Sequence, residues 1–272
     1  MENAATGEKR GIPLLRRYPV FDVLGFTLMM VGIVWIVLRG AENQGYYWQW
    51  YRVPRYLFDS DGGTWTAGPI LHGLKVTLHI TGISLVLTYI IGLVTALLRL
   101  SESFGARMLS RFYLETARNT PLLVQLYFIY FIIAPVLGID RLAAAILALS
   151  LFEGAYASEI YRAGIVSIDR GQWEAAYSLG LGKFHTYRYV ILPQALRRIL
   201  PPLTSQAISL LKDSSLVSVL AVYEMTMQAN AIVAETFLVF EIYFTIAAIY
   251  LVMAVALSQL VGVMERRFKV EN

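Results

Sequence analysis

IDRGQWEAAYSLGLGKFHTYRYVILP, residues 168–193, is a polar stretch set between two apolar runs, and it is too long to be a plain connector. Asp169 and Gln172 stand at capping-box spacing, which predicts a helix beginning at Arg170. Gly180 supplies a left-handed stop for that helix. A second segment, Lys183–Leu192, is expected to end at Pro193. Small Ala175 and Ala176 lie beside Trp173 and Leu179, so the first helix is compact and amphipathic. That shape suits docking into a groove on another protein.

The flanks of this stretch are spans. The chain has 272 residues, 57% hydrophobic and 15% charged, where a soluble domain is about half apolar and a quarter charged. The excess sits in long runs, so lipid is the expected solvent. Six are read: Phe21–Leu38, Leu74–Leu98, Leu122–Leu137, Leu142–Tyr161, Pro193–Leu211 and Leu238–Met264. The third is short, bracketed by Pro121 and Pro135, and the fifth is irregular. The first follows a polar, basic Met1–Pro19 without a small-residue cleavage signature, so it reads as a retained span.

Basic residues orient the six. Lys9, Arg10, Arg16 and Arg17 precede the first span; Arg99, Arg107, Arg111 and Arg118 separate the second from the third. Arg162, Arg170, Lys183, Arg188, Arg197 and Arg198 lie around residues 168–193, and Arg266, Arg267 and Lys269 come after the last span. All four groups fall on one side, expected to be the cytoplasm, with both termini there. Arg39, Arg52, Arg55, Arg141 and Lys212 are the basic residues of the other side. The net charge of +4 therefore reports membrane orientation, and no nucleic-acid partner is expected.

Residues 168–193 also carry a resemblance. Glu174-Ala175-Ala176, Gly180, Val190, Leu192 and Pro193 match the cytoplasmic signature of ABC-importer permeases, with Val190 where isoleucine is usual. Arg118–Gln125, Ala155–Arg162, Pro193–Arg197 and Leu211–Leu216 are similar to the polar amino-acid branch (histidine, glutamate, glutamine, arginine and opine carriers). The resemblance covers about His72 to the C-terminus. It implies an all-α integral membrane protein with about six transmembrane helices and a coupling-helix loop, the type I importer permease. Residues 1–69 are then a cytoplasmic N-terminus, an extra transmembrane helix and an extracytoplasmic loop, and residues 70–272 the permease core.

The resemblance further implies partners. These are a second permease, identical or homologous, two ATP-binding-cassette ATPases and an extracytoplasmic solute-binding protein, working in the inner membrane's lipid bilayer. Gln172, Glu174, Ala175, Ala176, Leu179, Gly180 and Pro193 would couple the ATPases to the pathway. ATP and Mg would be bound by those partners, and no cofactor is expected in this chain. Its Gly182-Lys183 is no phosphate loop, because Phe184 comes next and Tyr177 stands where the first glycine belongs.

No catalytic or metal site is expected. Cysteine is absent, and His72, His79 and His185 are scattered. Polar groups within the spans are costly, so they mark either a pathway or a buried pairing. Glu153 lies near the midplane and would meet a substrate's positive charge, or else pair with a neighbouring helix or stay protonated. Glu159 is placed for a local ion pair with Arg162. Gln206, Ser209, Lys212, Asp213 and Ser214 interrupt the fifth span and are expected to line a cavity. The other reading is that Lys212 snorkels and Asp213 caps the next short helix. Thr77, Thr81, Ser84, Thr88 and Thr95 share one helical face, expected to be a packing seam. The function expected is an ATP-driven importer permease for polar amino acids and not an enzyme. The alternatives are a permease for another small polar solute and a membrane sensor whose loop binds a soluble protein.

Overall fold

The computed structural model describes residues 19–43, 45–61 and 64–268. The basic groups read at Lys9–Arg17 and at Lys269 lie outside the described residues. The chain divides into two compact units, residues 1–49 and 50–272. The first holds α1 (Pro19–Asn43), whose sequence is apolar around the whole circumference, as a helix solvated by lipid must be.

The second unit opens with a short helix α2 (Pro54–Leu57) and an antiparallel pair, β1 (Phe58–Asp61) and β2 (Thr64–Ala67), with Phe58 opposite Ala67. Then come α3 (Pro69–Leu100), α4 (Phe104–Asn119), α5 (Leu122–Phe128), α6 (Ala134–Leu137) and α7 (Arg141–Val166). The remaining helices are α8 (Arg170–Ser178), α9 (Lys183–His185), α10 (Leu192–Asp213), α11 (Met225–Thr236) and α12 (Val239–Phe268).

Among the described residues four helical stretches are long and apolar enough to cross a bilayer: Val20–Gly40, Pro69–Leu100, Arg141–Val166 and Val239–Gly262. Two bent pairs bring the number to six. Phe104–Asn119 meets Leu122–Leu137 at 111°, and Lys183–Leu220 meets Met225–Thr236 at 48°. The expected third and fifth spans are therefore members of bent pairs, with α4 and α11 as added helices.

Prolines do not stop these helices. Lys183–Leu192 was expected to end at Pro193, yet the helix runs on through it to Asp213. A π turn at Thr186–Ile191 precedes that proline, and Leu192 N–H bonds the Tyr187 carbonyl. The same device precedes Pro135, where the π turn Ile129–Ile133 lets Ala134 N–H bond the Ile129 carbonyl. The wider turn shifts the ladder by one residue before the ring arrives, which relieves the clash and absorbs the missing donor. At Pro201-Pro202 the Thr204 hydroxyl donates to the Leu200 and Pro201 carbonyls.

The core forms four clusters within the second unit, the smallest of them Leu114, Ala117 and Ala155. Ile165, Ile191, Ala195 and Ile199 pack beside loop 168–193. Ile80, Leu126, Leu149, Leu210 and Val217 fill the middle. Ile70, Met225, Leu238 and Ile242 close the far end. The hydroxyl stripe of α3 is a packing seam, as its spacing predicts. Thr77, Thr81, Ser84, Thr88 and Thr95 are all buried, and Ser150 of α7 donates to the Ser84 carbonyl at 3.4 Å. At Gly92 a Cβ would sit 2.7 Å from the Ala157 Cβ, so glycine is the residue that lets α3 and α7 approach.

Candidate functional site

Loop 168–193 is preformed. Asp169 caps α8, but its carboxylate accepts from Gly171 N–H at 2.7 Å and not from Gln172. Asp169 is thus the expected N-cap, but neither of the two reciprocal bonds of a capping box is made. Gln172 instead accepts from Gln194 Nε2 at 3.0 Å, and Gln194 also donates to the Val190 carbonyl at 2.8 Å. This ties α8 to the first turn of α10. A second tie is aromatic: Trp173 meets Tyr187 edge-on at 5.0 Å.

The far end of α8 closes in a Schellman turn. Leu181 N–H bonds the Ala176 carbonyl, Gly180 N–H bonds the Tyr177 carbonyl, and Gly180 has φ +77°. Ala176 is buried beneath the helix, while Glu174, Ala175, Tyr177 and Leu179 face outward, Leu179 at 80% exposure. Pro193, the last residue of the loop, already lies inside the first turn of α10. Lys183 Nζ reaches Glu102 Oε1 at 2.8 Å, linking the loop to the α3–α4 turn. That ammonium holds the Glu102 carboxyl below the ordinary carboxylate range by hydrogen bond and charge.

Within the bilayer the structure gathers three of the six expected pathway residues. Glu153 on α7 is 1% exposed and accepts a hydrogen bond from Gln206 Nε2 on α10. Asp213, two turns beyond Gln206 on the same face of α10, lies beside the Glu153 carboxyl. The other three stand apart. Ser214 bonds back to the Leu211 carbonyl at 2.7 Å, Ser209 is half-buried without joining the pair, and Lys212 is exposed.

Asp213 does not cap the next helix, and its side chain makes no cap bond there. A 3-10 helix, Ser214–Leu220, continues α10 instead. Ser214, Ser215 and Ser218 each donate to the carbonyl three residues back, competing with the α ladder and tightening the turn. The segment ends at Ala221 with φ +52°, whose carbonyl accepts from Arg141 at 2.8 Å.

Two further polar clusters complete the spans. Glu159 pairs with Arg162 at 3.4 Å as its spacing predicts, but also with Arg99 at 2.8 Å and Arg118 at 2.9 Å. Glu224, fully buried, was not read from the sequence. Its Oε1 caps α11 at Met227 N–H, and its Oε2 accepts from Thr77 and Tyr250 hydroxyls. Glutamate is not a favoured cap residue, so no local signal marks it.

A helical membrane protein with a closed, outward-facing loop helix and a carboxyl pair facing across two spans belongs to the class of transport subunits. Residues 88–270 match the family described as binding-protein-dependent transport system inner membrane component. The glutamine transport system permease protein GlnP of Escherichia coli (strain K12) is 40% identical over 210 residues, 76% of this chain and 96% of that one. The L-cystine transport system permease protein TcyB of Bacillus subtilis (strain 168) is 41% identical over 202 residues, 73% of this chain and 86% of that one. A crystal structure of an amino acid ABC transporter with histidines matches with a TM-score of 0.69 and 41% identity, covering 73% of this chain and 94% of its own. The MetNI methionine ABC transporter, inward facing, shares the fold at TM-score 0.63 and 18% identity, over 74% of this chain and 96% of its own. The chain belongs to the binding-protein-dependent inner-membrane permeases of ABC importers.

Proposed function

We propose that this permease carries polar amino acids inward, with a second permease subunit beside it, two ATPases on the loop 168–193 face and an extracytoplasmic binding protein opposite. ATP and Mg belong to the ATPases. Loop 168–193 and both termini are then cytoplasmic, in accord with the basic residues around the spans. Residues 1–69 form an added N-terminal region and residues 70–272 the permease core.

The observation that carries the proposal is the continuity between α8 and the carboxyl pair. α8 offers Glu174, Ala175 and Leu179 outward, and Gln172 fastens it to Gln194 near the start of α10. α10 then runs about 30 Å at 1.5 Å per residue, ending at Gln206 and Asp213 opposite Glu153. A displacement of α8 by closing ATPases therefore reaches the groups at the pathway through one helix. Every amino acid carries an α-ammonium, and a carboxylate out of water is a strong partner for a cation. Gln206 holds the Glu153 carboxylate in place for it.

The test uses the assembled complex in vesicles, with the binding protein saturated. Transport of amino acids that load the binding protein, together with matching stimulation of ATP turnover, is the expected result. Stimulation by sugars or peptides, with none by amino acids, would replace the substrate class while leaving the coupling intact.

A further inference from the structure

We infer that the face bearing loop 168–193 holds a binding site for the phosphate headgroup of an anionic phospholipid, in the cavity between α4 and the adjoining ends of α3 and α7. The cavity has a volume of about 780 Å³. Arg99, Arg107, Arg111 and Arg118 line it, against two carboxylates, Glu115 and Glu159. Those carboxylates are already engaged. Glu159 is shared by Arg99 and Arg118, with Arg162 as a third partner, and Glu115 accepts from Asn119 at 2.9 Å. Among the described residues no carboxylate lies within ion-pair distance of Arg107 or Arg111. The cavity thus has four guanidinium groups for two carboxylates, and guanidinium is the group that clamps phosphate in two-point geometry.

The surroundings select a lipid over a soluble anion. α4 meets Leu122–Leu137 at 111°, so it runs across the spanning direction and not along it. Phe104, Met108, Leu109 and Phe112 of α4 are 62–75% exposed, on the same helix as Arg107 and Arg111. A helix lying in the plane of the interface, with large apolar side chains beside arginines, is built to meet acyl chains and headgroups together. Phe104 and Met108 also reach the cavity wall, so one molecule with a charged head and apolar tails matches both parts. Arg118 is fixed in advance, its guanidinium 5.6 Å from the Tyr156 ring centre. The cavity also adjoins the coupling apparatus, because the α3–α4 turn holds Lys183 through Glu102.

Lipid retention reads this site directly. The full-length permease with its ATPases is reconstituted in equal phosphatidylglycerol and phosphatidylcholine, extracted in mild detergent, and its bound lipids are counted by native mass spectrometry. Retention of phosphatidylglycerol over phosphatidylcholine is expected, falling about fivefold in Arg111→Gln, since one basic residue near a headgroup contributes about that factor. Among the described residues Arg111 makes no ion pair, so its loss is expected to leave the fold intact. Millimolar inorganic phosphate should not displace the lipid. Equal retention of the two lipids, unaltered retention in Arg111→Gln, or displacement by phosphate alone would overturn the site. So would a disulfide between two Phe112→Cys chains, which this cysteine-free protein would report without background, because a second copy would then cover the face.

Discussion

Gly180 shows how a single backbone angle closes the end of a loop helix. Its φ of +77° lets two carbonyls of α8 find donors within the loop, and a Cβ there would meet nothing within 4 Å. Space therefore does not exclude other residues; conformation does. Gly180→Val imposes about 1–2 kcal/mol for the left-handed angle, more for a β-branched side chain. We expect the Schellman turn to open, with transport and substrate-stimulated ATP turnover falling while membrane insertion persists. Wild-type transport and ATPase association in that variant would remove α8 from the coupling role. Toward the far end of α10, Glu153→Gln keeps the shape and removes the charge. A lost charge-assisted hydrogen bond is about 1.5–3 kcal/mol, so half-saturation should rise roughly ten- to a hundredfold. The assay is transport in vesicles by a permease variant that no longer requires the binding protein. An unchanged concentration dependence at matched expression would make Glu153 a packing residue.

Among the elements, the α3–α7 seam carries the bundle, and Gly92 is its narrowest point. Gly92→Leu should lower stability by about 1–3 kcal/mol, the usual cost of overpacking, because the neighbouring atoms are the Ala157 Cβ and the Gly154 carbonyl, neither of which can move aside. Thermal unfolding in detergent measures this; a melting temperature equal to wild type would mean that the helices are not in this contact. The break after α10 is tested differently. Arg141→Gln removes the donor that holds the left-handed Ala221, while Ala221→Gly removes the strain itself. The first should destabilise and the second should not, and the combination should recover much of the loss. These elements also show how far a sequence can be read. The long apolar runs and the hydroxyl stripe were readable because burial on one face repeats at helical spacing. α4 was not, since its arginines read as loop charge while its apolar face is hidden in the same residues. α11 was missed because it is capped by Glu224 and ended by Phe237 at φ +59°, neither a usual signal. Pro193 misled because proline chemistry is local, whereas the π turn that accommodates it depends on the preceding turn. In the site, Glu153 and Asp213 were legible as charges out of place in lipid, but their meeting depends on the rotation of α10, which no spacing reveals.

At the scale of the whole molecule, the question is whether the first unit is needed for transport. GlnP of Escherichia coli and TcyB of Bacillus subtilis align over 76% and 73% of this chain while covering 96% and 86% of their own length, so about a quarter of this chain lies outside each alignment, and the family match itself begins at residue 88. Residues 50–272 contain the four packed clusters, the carboxyl pair and loop 168–193. The short segment after residue 49 is anchored within this unit: Gly68 N–H bonds the Leu57 carbonyl at 2.7 Å, and the Trp50 and Phe244 rings lie 6.4 Å apart. We therefore expect a chain beginning at Trp50, given a new initiating methionine, to insert, to associate with its ATPases and to show substrate-stimulated ATP turnover within about twofold of the full chain. The measurement is turnover in vesicles against binding-protein concentration, with expression matched. If turnover is preserved at saturation but the binding-protein concentration needed rises, the first unit serves recruitment at the outer face. If the shortened chain inserts and is still inactive at saturation, the added helix belongs to the transport machinery, and the core that the relatives share is insufficient in this protein.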